Sequence, residues 1–471
     1  MTLNKKTALA INSTILIIFL LKYYSYISSQ NVWYDDAHEL IISKISIFNF
    51  VDFARIADYH FGFSLVLFLL SNLIKLELIY KVLVFIFLGA FGATNFYLIS
   101  KKYNPTYLII AQISILLSST FVEYSFRPKH YAYEFLIVLI LSVMLNKEIS
   151  IKKILLILLL SVLFSNLLLI YFIYPFYKYL KKNKNIKIFL FFILLIPVFS
   201  NAIDKIAFSK FKSYWKLENK SLAEAIENLY LNNLLLMRNY LDTGFLFIFI
   251  LIIVIGLINL FLKDRDLFLF LIIPYCFFNL LNVLNFYPIG GGRTDIIIFP
   301  FIFFSIYYFS ELCFNKFNYN SIFILSMLLI MALTPVLLND KIDNTKLMID
   351  SVNFELYDTI FISYYTVPQF VLWSGDMSNA SKNKKISECF YHSKSEKIIF
   401  LQEYKNGSCH PLSDLEIVKH EINKNKKILI LGYDSKTQNI LNFVQSDELL
   451  FNNLKITKFG KNEVFIASLN K

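Results

Sequence analysis

Asp35-Asp36-Ala37-His38-Glu39 places four ionisable side chains within five positions, directly after the first hydrophobic run of the chain. A carboxylate held partly out of water, with a cation nearby to keep it ionised, is suited to work as a general base, so Asp35 and Asp36 are the candidate catalytic pair. The plainer reading is a solvated helix start, where two acids in the first turn are ordinary. His38 and Glu39 would also suit a metal ion. No second His or Cys cluster completes a coordination shell, so no metal is expected and the two remain supporting residues.

Two further clusters are cationic. Arg127 and Lys129 lie in Glu123-Tyr124-Ser125-Phe126-Arg127-Pro128-Lys129-His130-Tyr131, after the apolar run 107–122. A guanidinium gives a phosphate charge-assisted hydrogen bonds, and an ammonium gives it a compact point charge. Snorkelling of both side chains to the headgroup level is the alternative. Tyr287-Pro288-Ile289-Gly290-Gly291-Gly292-Arg293 has the sharper form. Its glycines, Gly291 and Gly292 among them, let backbone approach a ligand, and Arg293 is expected at the positive end of a helix starting near 295. Acids and cations converging at one membrane face point to chemistry on a phosphate-bearing lipid.

The elements that must position these residues are membrane spans. The chain is 57% hydrophobic with 49 Phe and 30 Tyr, and its mean hydropathy of +0.56 makes lipid its solvent. The net charge of +12 does not indicate nucleic acid, because the lysines sit in short clusters between apolar runs, where the positive-inside rule accounts for them. Taking Lys5-Lys6, Lys101-Lys102, Lys147, Lys152-Lys153, the cluster 178–187, Lys263, Arg265 and Lys316 as cytoplasmic fixes the parity. Of the runs 7–28, 61–78 and 80–99, one must then fail to cross, and 61–78 is the shortest. The run 154–180 must split near Ser165-Asn166. Further spans fall near 187–203, 243–262, 266–286, 295–314 and 320–337, with 204–242 as a loop on the outer side. The total is about eleven transmembrane helices in residues 1–337, with an outer loop at 29–79 and the carboxyl terminus outside.

Beyond 338 the pattern changes to β-type runs at Thr359–Ile362, Lys397–Leu401, Ile428–Leu431 and Val464–Ala467, with helical patterns between some of them. Residues 338–471 are read as a small extracytoplasmic α/β domain. Cys389 and Cys409 both fall in it, either bridged in an oxidising compartment or as two free thiols.

Trp33-x-Asp35-Asp36-Ala37, then Tyr124-Ser125 with Lys129 and Tyr131, then Tyr287-Pro288-x-Gly-Gly-Gly-Arg293 with Phe299-Pro300, taken in order, resemble the bacterial relatives of protein mannosyltransferases. These are polyprenyl-phosphate-dependent glycosyltransferases of the GT-C fold, glycosyltransferase family 39 in type. The resemblance covers about residues 1–340, and Asp358-x-Ile360-x-Ile362-Ser363-Tyr364-Tyr365 resembles the outer domain that some members carry.

The resemblance implies a bacterial plasma-membrane enzyme that inverts the anomeric carbon of a sugar carried on a polyprenyl phosphate. Its acceptor, a lipid, glycan or protein, would reach the site from the outer face. The family's acidic pair maps onto Asp35 and Asp36, the second being Asp where Glu is usual, so either can be the base. Lys129 and Arg293 map onto the lipid-phosphate cations, with Arg127 as helper and Tyr131 in support. His130 and Gly292 depart from the family pattern. No cofactor is implied. A transporter or flippase for a lipid-linked sugar is the rival from another class, but it should place ionisable groups near the bilayer midplane. A glycan polymerase or ligase using a lipid-diphosphate donor is chemically close.

Overall fold

In a computed structural model the described residues comprise most of 5–28, 36–37 and 40–41, 61–145, 158–183 in part, 221–314, 345–374 and the strands of the carboxyl-terminal sheet. The chain divides into two units: residues 1–27, 59–63 and 80–338 form one, and 28–58, 64–79 and 339–471 the other.

Helices come first along the chain. They are α1 (Lys5–Ser28), α2 (Phe61–Leu73), α3 (Leu76–Lys101), α4 (Pro105–Leu116), α5 (Ser119–Ser125), α6 (Tyr131–Met144) and α7 (Ile173–Asn183). The series continues with α8 (Leu222–Tyr240), α9 (Leu246–Lys263), α10 (Arg265–Val283) and α11 (Phe299–Phe314). Among the described residues four helices, α1, α3, α9 and α10, are long and apolar enough to cross a membrane, which makes this a membrane protein. The bent pair α4 and α5 adds a fifth, and α6 and α11 are shorter apolar helices. The expected count of about eleven is not reached among these residues. The spans expected at 187–203 and 320–337 lie outside them.

Local chemistry explains where the helices stop. The run 107–122, read from sequence as one span, breaks by 82° between α4 and α5. Ser118 is extended there, caps α5 by accepting from the Phe121 N–H at 3.1 Å, and donates to the Asn239 carbonyl at 2.8 Å. The run 154–180 is expected to split near Ser165-Asn166, and most of 154–164 lies outside the described residues. Ser165 is extended and accepts from the Leu167 N–H, opening a 3-10 segment at Asn166–Phe172 that runs into α7. The region 204–242, read as an outer loop, contains the 19-residue α8.

Aromatic rings fill the interior of this unit. Phe87, Phe121 and Phe135 are fully buried, with Phe121 edge-on to Phe135 at 5.0 Å and Phe135 edge-on to Phe303 at 5.6 Å. These contacts tie α5, α6 and α11 together, the elements that flank both cationic clusters.

In the second unit, α12 (Thr345–Asp350) and α13 (Val367–Trp373) accompany a six-stranded sheet. Its strands are β1 (Thr359–Ser363), β2 (Ile398–Lys405), β3 (Ser408–Pro411), β4 (Lys427–Tyr433), β5 (Leu454–Phe459) and β6 (Val464–Asn470), in the order β3-β2-β1-β4-β6-β5. β1 is parallel to both neighbours, Ile360 facing Ile398 on one side and Leu429 on the other. Every residue of β1 is buried, as a central parallel strand requires. The four expected strands are all present, and β3 and β5 are additional. Of the two cysteines considered for a bridge, Cys409 lies on β3 and Cys389 is outside the described residues.

Candidate functional site

The second and third sequence clusters meet in the first unit. Arg127 and Lys129 occupy the turn between α5 and α6, only 6% and 8% exposed. The Arg127 guanidinium lies 2.5 Å from the Glu123 carboxylate one helical turn earlier and 4.9 Å above the Tyr124 ring. The Lys129 N–H donates to the Arg127 carbonyl at 2.7 Å, which tightens the turn. His130 begins α6 with its Nε2 3.4 Å from Glu134 Oε1, both side chains buried. Tyr131 packs edge-on against Tyr124 at 5.5 Å, on the ring that Arg127 covers. On the far side, Phe19 and Tyr23 of α1 pack on Phe126.

The third cluster is a turn built around a side chain that the sequence reading did not single out. Asp295 is fully buried. It accepts from the Gly290 N–H at 2.8 Å, the Gly292 N–H at 3.0 Å and Asn239 Nδ2 at 2.7 Å. Tyr287 donates to the Thr294 carbonyl and Thr294 to the Pro288 carbonyl, each at 2.6 Å. Gly290 and Gly292 hold φ of +81° and +75°, which a residue with a Cβ adopts only under strain. At Gly290 a Cβ would also stand 2.9 Å from Leu235 Cβ. Gly291 and Arg293 are half-buried.

Arg293 opens a 3-10 turn, Arg293–Asp295, and α11 starts only at Phe299. The expectation of a span beginning near 295 with Arg293 at its positive end is therefore corrected. Asp295 takes up the backbone N–H groups of the glycine turn, and the chain needs residues 296–298 before it can enter the helix.

The two cationic turns share neighbours. A Cβ on Gly292 would lie 4.0 Å from the Thr120 methyl of α5. The Tyr124 phenol is within electrostatic reach of both Arg127 and Arg293, and the Tyr287 phenol within reach of Tyr131, Glu134 and Asp295. Asn239 bridges the halves by hydrogen bonds, its side-chain amide donating to Asp295 while its carbonyl accepts from the Ser118 hydroxyl just before α5. Arg127 and Arg293 thus approach the same phenol, Tyr124, with Lys129 buried in the Arg127 turn and Asp295 buried in the glycine turn.

The first cluster belongs to the second unit. Asp36 is fully buried there, as are Ala37, Leu40 and Ile41, whereas Asp35, His38 and Glu39 lie outside the described residues. Among the described residues no three of His, Cys, Asp and Glu gather into a group that would hold a metal.

Burial pushes the Asp295 carboxyl up to about 7, against the opposing pull of the Asn239, Gly290 and Gly292 donors. The folded value therefore stands above the ordinary value of 3.8. Protonation favours the folded state, a contribution complete below the ordinary value and lost as pH rises through the folded one. Thermal stability should accordingly fall from about pH 4 to about pH 7 through this group and level off above. Asp295→Asn should remove that slope and lower the whole curve, because an amide turns a donor toward N–H groups that need acceptors. A slope of equal size in the Asn variant would assign the titration elsewhere.

A signal for Asp295 was present in sequence, an acid two residues past Arg293 at the end of a glycine run. Asn239 and Ser118, far away in sequence, carried none. The chain matches no protein-family model, no curated protein and no solved structure.

Proposed function

We propose that the chain is an integral membrane glycosyltransferase that moves a sugar from a polyprenyl-phosphate carrier to an acceptor at the outer face of the membrane. One observation carries the reading: Arg127 and Arg293 both reach Tyr124, beside a glycine turn and with Lys129 buried in the Arg127 turn, in a membrane-spanning unit. Cations withdrawn from water in such a setting favour an anionic ligand with several acceptor oxygens, and a lipid phosphate offers that at the membrane surface. The aromatic pair of Tyr124 and Tyr131 suits the headgroup level.

In the proposed reaction a carboxylate, Asp35 or Asp36, takes the proton of the acceptor hydroxyl as its oxygen attacks the anomeric carbon. The bond from that carbon to the phosphate oxygen breaks with inversion, and the electron pair leaves on the lipid phosphate. Lys129 and Arg293 stabilise the charge gathering there. No redox partner or nucleotide enters the balance. The acidic pair is carried by the family resemblance alone.

The flippase reading draws on the same cations. The test is to supply a radiolabelled polyprenyl-phosphate sugar to membranes containing the chain and to their matched controls. Chain-dependent release of polyprenyl monophosphate, matched by sugar on an acceptor, supports the proposal. Movement of intact donor across the bilayer without release supports the flippase.

A further inference from the structure

Helix α8 carries its polarity inside out. Its asparagines turn toward protein, Asn232 Nδ2 donating to Asn282 Oδ1 at 3.1 Å and Asn233 Nδ2 to Asn279 Oδ1 at 2.6 Å, both on α10. The Tyr275 hydroxyl of α10 donates to Asn233 Oδ1 at 2.7 Å, and Asn239 is engaged by Asp295. The outward face carries Ile226, Tyr230, Leu231 and Leu235, between 42% and 64% exposed. A helix on a water-soluble surface does the reverse, burying its apolar stripe and hydrating its amides. In lipid the pattern is the expected one, since side-chain amides join helices to each other and apolar groups face hydrocarbon.

The helix that carries this face packs beside one already assigned to the bilayer. α9 packs beside α8, is long and apolar enough to cross a membrane, and exposes Phe247, Ile248, Leu251 and Val254. Charges on α8 are confined to its ends, Glu224 and Glu227 at one and Arg238 at the other. The uncharged stretch 228–237 spans about 15 Å at 1.5 Å per residue, roughly half of a 30 Å hydrocarbon core.

We propose that α8 is a membrane-embedded helix reaching through about one leaflet, its Tyr230–Leu235 face in contact with lipid hydrocarbon. This goes beyond the glycosyl-transfer reading and does not depend on it. It replaces the water-exposed loop expected over 204–242. The glycine turn packs on α8 at Asn232 and Leu235, so the cationic turn is braced by an element seated in the bilayer.

Spin labelling tests the proposal on the full chain in liposomes. Tyr230→Cys and Leu235→Cys are made in a background with the native cysteines replaced by Ser, then labelled with a nitroxide, and collisions with oxygen and with a water-soluble nickel chelate are compared. Oxygen collisions several-fold above those of the chelate at both positions are expected, with Ser221→Cys at the helix cap as the reference nearer to water. Dominant chelate access at Tyr230 and Leu235 would put this face in water. Low access to both relaxants would show it covered by protein. Either result overturns the proposal. Leu231→Cys carries the same test should one variant fail to reconstitute.

Discussion

Asn in place of the catalytic carboxylate should reduce sugar transfer by about 10²–10⁴-fold, the usual contribution of a general base, while lipid-phosphate binding stays near wild type. Asp35→Asn and Asp36→Asn have to be measured together, because either residue can be the base. The one that matters should lose turnover without a change in donor affinity, since the carboxylate acts on the acceptor hydroxyl. Asp36 is fully buried, so Asp36→Asn also needs a thermal-unfolding measurement to separate lost chemistry from lost fold. If both variants keep more than about a tenth of wild-type turnover, well short of the loss a missing base produces, the catalytic assignment fails.

The second large effect concerns the cations. Arg293→Ala and Lys129→Ala should each weaken binding of a polyprenyl phosphate by about 10–100-fold, the loss of one charge-assisted contact. Turnover should fall further, by about 10²–10³-fold, because the leaving phosphate gathers charge as the bond breaks. Arg127→Ala should behave differently. Its partner Glu123 is largely buried at 2.5 Å, and removing the guanidinium leaves that carboxylate uncompensated, so melting temperature should drop along with binding. Arg293 is half-buried in a turn held by Asp295, so the binding of Arg293→Ala is read beside its melting temperature. Unchanged lipid-phosphate affinity in both Arg293→Ala and Lys129→Ala would move the donor site elsewhere.

Much of this architecture was legible in the sequence because its signals are local. The apolar runs that become α1, α3, α9 and α10 announce themselves by length and hydropathy, and β1 reads as the continuous apolar run expected of a central parallel strand. The break near Ser165 followed from lysines at both ends of the run 154–180, since a single crossing would put one cluster outside. What escaped was set by tertiary partners or by weak periods. Ser118 divides the 107–122 run because the Asn239 carbonyl, 121 residues away in sequence, accepts its hydroxyl. β3 is a short polar strand with no alternation to read. Its pairing of Ser408 with Lys405 leaves only Asn406-Gly407 between the strands, a hairpin dipeptide whose meaning was available.

The site divides in the same way. Arg127, Lys129 and Arg293 were found by residue type beside aromatics and glycines, and the structure brings their two turns onto a common neighbour, Tyr124. Asp295 was passed over because an acid at the start of an expected span reads as an ordinary first-turn residue. Only the fold shows that its oxygens organise the glycine turn. α8 was read as loop because Glu224, Glu227 and Arg238 lower its apparent hydropathy, while the partners that satisfy its asparagines sit on α10.

The most direct test of glycosyl transfer is the chemical form in which the carrier leaves. Membranes containing the chain, supplied with a polyprenyl-phosphate sugar, should release polyprenyl monophosphate in equal amount to sugar appearing on an acceptor with inverted anomeric configuration. Arg293→Ala should suppress both together. Intact donor accumulating on the far side of the bilayer, or sugar transfer only when a lipid diphosphate is the donor, would contradict the account.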